Sequence, residues 1–127
     1  MDLIIGGYAQ GKLNYVLGKY HLEQSAVWDK TIPKEELRDG TRVVVNRFHE
    51  WIKERMQNGG VLEEELSGFL DRCPDCIIIS DEVGNGIVPL EAFDREYRER
   101  LGKILIMLAG RAKEVERVVC GIGQKIK

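Results

Sequence analysis

The sequence predicts an α/β fold, a mainly parallel sheet with helices on both faces, from three features. Short apolar runs recur along the chain, several of them β-branched, as buried strands require. Stretches with apolar side chains at i, i+3 and i+4 lie between those runs, the arrangement that gives strands joined by helical crossovers. The first run stops at a glycine pair, Gly6-Gly7, and a helical pattern follows at once.

Taken in order, Leu3-Ile4-Ile5 reads as a buried strand cut off by Gly6. Leu13, Val16, Leu17 and Tyr20 then line one face of a helix. From His21 to Gly40 the chain is polar and broken by Pro33 and Asp39-Gly40. It offers a short strand around Ala26 to Trp28 and one helical turn near Lys34 to Leu37. Val43-Val44-Val45 suggests a second buried strand. Phe48, Trp51, Ile52, Arg55 and Met56 follow at helical spacing, up to Gly59-Gly60. A short helix, Leu62 to Leu70, leads to the apolar run Cys76 to Ile79, a strand that ends at Ser80, Asp81 and Glu82. After a loop, Val83 to Pro89, a long helix carries Leu90, Phe93, Tyr97, Leu101, Ile104, Leu105, Leu108 and Ala112 on one side. Its other side carries the opposite-charge pairs Glu91 with Arg95 and Glu99 with Lys103. Val118-Val119-Cys120 is expected as the last long strand, with Gly121 to Lys127 turning into one more short strand.

Length and composition bound what this chain does. Its 127 residues, 43% hydrophobic and 31% charged, suit a single globular domain over 1–127 better than a disordered chain. The longest apolar run, Ile104 to Ala109, is far below the roughly 20 residues a membrane span needs. A formal charge of -2 without a basic block gives no electrostatic footprint for nucleic acid. Asp2 is acidic and the apolar stretch behind it ends at Gly6, so no signal-peptide pattern is present and a cytoplasmic location is expected.

Three groups of residues could carry chemistry. Gly6-Gly-Tyr-Ala-Gln-Gly-Lys12 satisfies G-x-x-x-x-G-K between a predicted strand and a predicted helix, the setting of a phosphate-binding loop in a P-loop NTPase-like fold. Backbone N–H groups and the helix N-terminus would converge on phosphate oxygens, and Lys12 would supply a point charge. The expected nucleotide-binding residues are thus Gly6, Gly7, Tyr8, Ala9, Gln10, Gly11, Lys12 and Leu13; the plain alternative is a glycine turn with Lys12 solvated. Leu13 stands where a Mg²⁺-ligating hydroxyl is expected, and it belongs to the apolar stripe. Asp81 and Glu82, at a strand end, are expected to face the ligand crevice. Either they hold Mg²⁺ through water or bond a base or ribose, or Glu82 accepts the N–H groups of the following loop. His49, in the first turn of a helix, reads as a neutral, nucleophilic imidazole or as an ordinary surface histidine. Cys73-Pro-Asp-Cys76 lacks two further ligands for zinc and closes a helix instead of opening one, so reduced thiols are expected.

Ser80-Asp-Glu-Val-Gly-Asn-Gly-Ile-Val-Pro89, the Arg98 and Gly102 spacing and the ending Gly121-Ile-Gly-Gln-Lys-Ile-Lys127 closely resemble the bifunctional adenosylcobinamide kinase and adenosylcobinamide-phosphate guanylyltransferase family. The resemblance implies ATP or GTP as ligand, a corrinoid substrate (adenosylcobinamide), and a homo-oligomer, a trimer; Mg²⁺ is expected only through Asp81 and Glu82. Gly6, Gly7, Gly11 and Lys12 match the family's phosphate loop, while Gln10 and Leu13 replace two serines. The candidate catalytic residues are Lys12, Glu82 and His49, with Asp81 the candidate metal ligand by its place at the strand end. Glu82 matches a family glutamate and Asp81 stands where the family often has Asn. The resemblance also marks departures. The chain lacks the segment carrying the family's guanylyl-accepting histidine, which leaves His49 as the one candidate substitute. Neutral Asn46 replaces an acidic residue, and Leu105-Ile106 replaces an Asn-Gln pair. The alternative to an enzyme is a nucleotide- or corrinoid-binding protein that keeps the fold and has lost one or both steps.

Overall fold

A computed structural model describes residues 1–35, 37, 40–82 and 91–127. The predicted loop Val83 to Pro89, Leu90, Asp39 of the predicted break and Glu36 of the predicted helical turn lie outside the described residues.

The elements follow the order β1 (Asp2–Gly6), α1 (Lys12–Tyr20), β2 (Val27–Asp29), β3 (Val44–Asn46), α2 (Phe48–Asn58), α3 (Leu62–Arg72), β4 (Ile77–Asp81), α4 (Ala92–Arg111), β5 (Glu114–Val119) and β6 (Ile122–Lys125). They form a six-stranded sheet in the order β2-β3-β4-β1-β5-β6. Every neighbouring pair is parallel except β5 and β6, an antiparallel hairpin at one edge.

Because side chains alternate along a strand, the apolar runs feed two cores at once. Leu3, Val45, Ile78 and Val115 face the larger core, which α2, α3 and α4 cover with Phe48, Trp51, Ile52, Leu66, Phe69, Leu101 and Leu108. Ile4, Val44, Ile77, Ile79 and Val118 face the other, which α1 covers with Val16 and the half-buried Leu13 and Tyr20. The predicted arrangement of helices on both faces is therefore the one found. Of the pairs expected on α4, Glu99 and Lys103 lie 3.3 Å apart and exposed.

The largest departure is β5. It begins at Glu114, four residues before the predicted Val118, and Cys120 is a turn residue with φ 49° instead of its last residue. Charge hid the alternation. Glu116 is buried because the Tyr15 hydroxyl donates to it at 2.9 Å and Lys19 lies 2.7 Å away, and neither partner is near it in sequence. Asp2 is likewise buried inside β1, where it accepts from the Tyr20 hydroxyl at 2.7 Å and from Arg42 at 3.1 Å. Among the described residues no helix is long and apolar enough to cross a membrane.

Candidate functional site

The chain leaves β1 through α1 on one face of the sheet and reaches β5 from β4 through α4 on the other. The connections diverge at the adjacent C-terminal ends of β1 and β4, where a parallel sheet opens a ligand crevice. A cavity of about 490 Å³ lies there, lined by the loop from Tyr8 to Lys12, by the end of β4 and by the start of α2.

The loop's backbone follows from its glycines. A side chain on Gly6 would put its Cβ 2.6 Å from the Val118 carbonyl oxygen, so only glycine lets β1 end this close to β5. Gly11 caps α1 with φ 80°, a conformation that glycine adopts without strain. No side chain caps α1 there, so its first N–H groups point at the cavity with the helix dipole behind them. The Lys12 side chain is nearly buried and folds back across this end. Its ammonium donates to the Gly7 carbonyl at 2.6 Å and pairs with Asp81 Oδ1 at 2.8 Å. It is not the solvated lysine of a simple turn. Leu13 is half-buried and packs in the α1 core.

Asp81 lines the cavity and is held from two sides. Besides Lys12, His49 Nε2 lies 3.4 Å from its Oδ2, and the Asp81 backbone N–H donates to His49 Nδ1 at 3.1 Å. His49 is thus no surface histidine. It is 7% exposed, and the Tyr97 hydroxyl donates to its carbonyl at 3.0 Å. Burial pushes its pKa below the usual value, aided by the Lys12 and Arg47 charges and opposed by Asp81 and Glu50. A neutral ring whose Nδ1 accepts a hydrogen bond must carry its own hydrogen on Nε2, facing the Asp81 carboxylate. The nucleophilic lone pair is therefore the one spent on the backbone.

Glu82 leaves the cavity wall. Arg117 on β5 clasps its carboxylate through two nitrogens, at 2.8 and 3.1 Å, across the end of β1. The two acids expected to share a crevice are split, because successive side chains of a strand point to opposite sides. Gln10 also turns to the protein: its Oε1 accepts the Cys120 N–H at 2.8 Å. His21 caps the far end of α1 from Lys12.

Two basic residues that the sequence reading passed over, Lys30 and Arg47, line the cavity with Lys12. Arg47 follows the last residue of β3 with φ 53° and pairs with both Asp29 carboxylate oxygens through Nε and Nη2, one edge of its guanidinium. That pairing holds Asp29 below the usual carboxylate range. The place of Arg47 two residues after the apolar run Val43 to Val45 was the available signal, since strand ends supply crevice residues. Asn46 donates to the same Asp29 at 3.2 Å. Among the described residues no three His, Cys, Asp or Glu side chains gather as a metal centre. Cys73, Cys76 and Cys120 form no disulfide, and burial pushes the Cys76 thiol up to about 12, as suits a structural thiol.

Comparison with known proteins adds the family. Over 82 residues, 61% of this chain, it is 35% identical to the bifunctional adenosylcobalamin biosynthesis protein CobU of Escherichia coli (strain K12), of which those residues are 44%. Over 70 residues, 52% of this chain, it is 37% identical to the protein of the same name from Salmonella typhimurium, of which they are 39%. The chain thus spans less than half the length of the curated relatives it matches. Residues 20–126 match the family described as cobinamide kinase / cobinamide phosphate guanyltransferase, and this chain belongs to that family.

Proposed function

We propose that the chain binds a purine nucleoside triphosphate, ATP or GTP, at the loop Gly6 to Lys12 and transfers its terminal phosphoryl group to a hydroxyl of a corrinoid, adenosylcobinamide. The observation that carries the binding half of this reading is the Lys12 ammonium, nearly buried at an uncapped helix N-terminus and facing a cavity. Family membership carries the choice of acceptor. Phosphoryl transfer needs little covalent help from a protein and much positioning and charge stabilisation. Lys12 would exchange Asp81 and the Gly7 carbonyl for phosphate oxygens, while the first N–H groups of α1 hold the rest of the phosphate chain. Lys30 and Arg47 add positive potential at the rim.

The donor set fits a Mg²⁺ that arrives with the nucleotide, since Mg²⁺ keeps several waters and takes one or two carboxylates besides substrate phosphates. Asp81 would be its protein ligand, and the ion would neutralise charge on the phosphates. Leu13 brings no hydroxyl to it, and the Asn46 amide is engaged by Asp29.

One observation favours a second reading, in which the guanylyl-transfer step is absent and a kinase or a binding protein remains. The Nδ1 lone pair of His49 is occupied by the Asp81 backbone, and Nε2 faces a carboxylate that would repel an α-phosphate. His49 then orients Asp81 instead of attacking. In this reading Glu82 acts through Arg117, bracing the ends of β4 and β5. Residues 1–127 work as one nucleotide-binding domain in the cytoplasm, and the exposed Ile106, Met107 and Ile122 suit a homo-oligomer such as a trimer. Turnover assays with adenosylcobinamide and each nucleotide test the proposal. Phosphorylated corrinoid is the expected product, and tight nucleotide binding without turnover would leave a binding protein.

A further inference from the structure

The phosphate loop does not rest on α1 alone. It is fastened to the turn between β5 and β6, at the opposite end of the sequence. The side-chain oxygen of Gln10 accepts the Cys120 N–H at 2.8 Å, and the backbone carbonyl of the same residue accepts the Gly121 N–H at 2.8 Å. Next to it, a Cβ on Gly11 would lie 3.5 Å from the Gly121 Cα, so the turn runs close beside the loop where α1 begins. At the loop's other end Gly6 lies against the Val118 carbonyl. The loop is thus gripped at its start and finish by one hairpin.

The hairpin is itself fixed to α1. The Tyr15 ring fills the space above Gly123, where a Cβ would come within 2.2 Å of the ring carbon that bears its hydroxyl, and that hydroxyl donates to Glu116 of β5. Lys19, one turn further along α1, pairs with Glu114 and Glu116 of the same strand. A loop that presents backbone N–H groups to phosphate works only when those groups already converge, because ordering them on binding costs conformational entropy. Its interior positions Tyr8 and Ala9 are exposed, and packing does not order them. Hydrogen bonds hold the loop instead: Gln10 accepts from the turn twice, its Nε2 donates to the Tyr8 carbonyl at 3.5 Å, and Lys12 donates to the Gly7 carbonyl.

We propose that Gln10 is a positioning residue, and that the Cys120-Gly121 turn is the template that holds the phosphate loop in its binding conformation. Gln10 contributes by accepting the Cys120 N–H, not by touching the ligand. The proposal rests on the phosphate-binding reading of the loop, and the test separates the two.

Gln10→Met keeps the length and bulk of the side chain and removes both the acceptor and the Nε2 donor to the Tyr8 carbonyl, whereas Gln10→Glu keeps an acceptor oxygen and removes the donor alone. Amide hydrogen exchange at Cys120 and Gly121 is followed by NMR, and binding of ATP and of inorganic tripolyphosphate by calorimetry. In Gln10→Met, exchange at Cys120 should speed up by about tenfold, that at Gly121 should change less, and affinity for both ligands should fall by about threefold to tenfold, the scale of one hydrogen bond. Gln10→Glu should retain the Cys120 protection. Unchanged exchange with weakened binding would mean that Gln10 acts on the ligand directly, and faster exchange with unchanged binding would mean that the turn does not shape the loop. Either overturns the proposal. If Lys12→Ala binds tripolyphosphate as tightly as wild type, the phosphate reading falls and takes the template with it. A loss in Lys12→Ala together with none in Gln10→Met overturns the template alone.

Discussion

Lys12 Nζ lies 2.8 Å from Asp81 Oδ1, so the cation of the loop Gly6 to Lys12 is neutralised by the carboxylate at the end of the neighbouring strand. A phosphate that enters the cavity competes with that carboxylate for Lys12, and a metal ion that enters competes with Lys12 for Asp81. On the proposed function, the affinities of the two ligands would be linked through this contact.

Lys12→Ala should weaken nucleoside triphosphate binding by about 1.5 to 3 kcal/mol, the worth of a hydrogen bond to a charged group. Calorimetry at one fixed salt concentration measures it. Equal affinities in mutant and wild type would end the phosphate-loop assignment.

Asp81→Asn separates the two competitors. Without Mg²⁺ the mutant should bind ATP more tightly than wild type, because Lys12 no longer has an anionic partner to leave. With Mg²⁺ the order should reverse, since the ion's protein carboxylate is gone. Titrations in EDTA and in excess Mg²⁺ decide; weaker binding of the mutant in EDTA would show that Asp81 orders the loop.

Stability should depend on pH through His49. Burial lowers its folded-state pKa below the ordinary 6.5, so between the two values the unfolded chain binds more protons than the folded one. The contribution is present in full above pH 6.5 and is lost as pH falls toward the folded value. Denaturant midpoints measured from pH 8 to pH 5 should drop below about 6.5, and His49→Gln should flatten that part of the curve. An identical slope in the mutant would assign the acid sensitivity elsewhere.

Incubation with α-labelled GTP and Mg²⁺ should leave no acid-labile, base-stable label on the protein. A phosphoramidate requires a free imidazole lone pair within reach of the α-phosphate, and that of His49 accepts the Asp81 N–H at 3.1 Å. Label that vanishes in His49→Ala would identify a histidine that rotates out of this contact to react.

Local periodicity was enough to find β1, β3, β4 and the four helices, because an apolar run or an i, i+4 stripe is a property of neighbouring residues. The same is true of Gly6 to Lys12, a motif defined by spacing between a strand and a helix. β5 was legible only in part, since Glu114, Glu116 and Arg117 read as solvent-facing until Lys19, Tyr15 and Glu82 are brought to them. The site was decided later still. Whether Lys12 faces solvent or Asp81, whether His49 is a surface or a buried residue, and whether Glu82 looks into the crevice or toward Arg117 all depend on β4 and β5 flanking β1. Gln10 meets Cys120 across 110 residues of chain, through strand order alone. Strand order follows from which crossovers pack well on which face of the sheet, an energy summed over the two whole cores, and no window of sequence contains it.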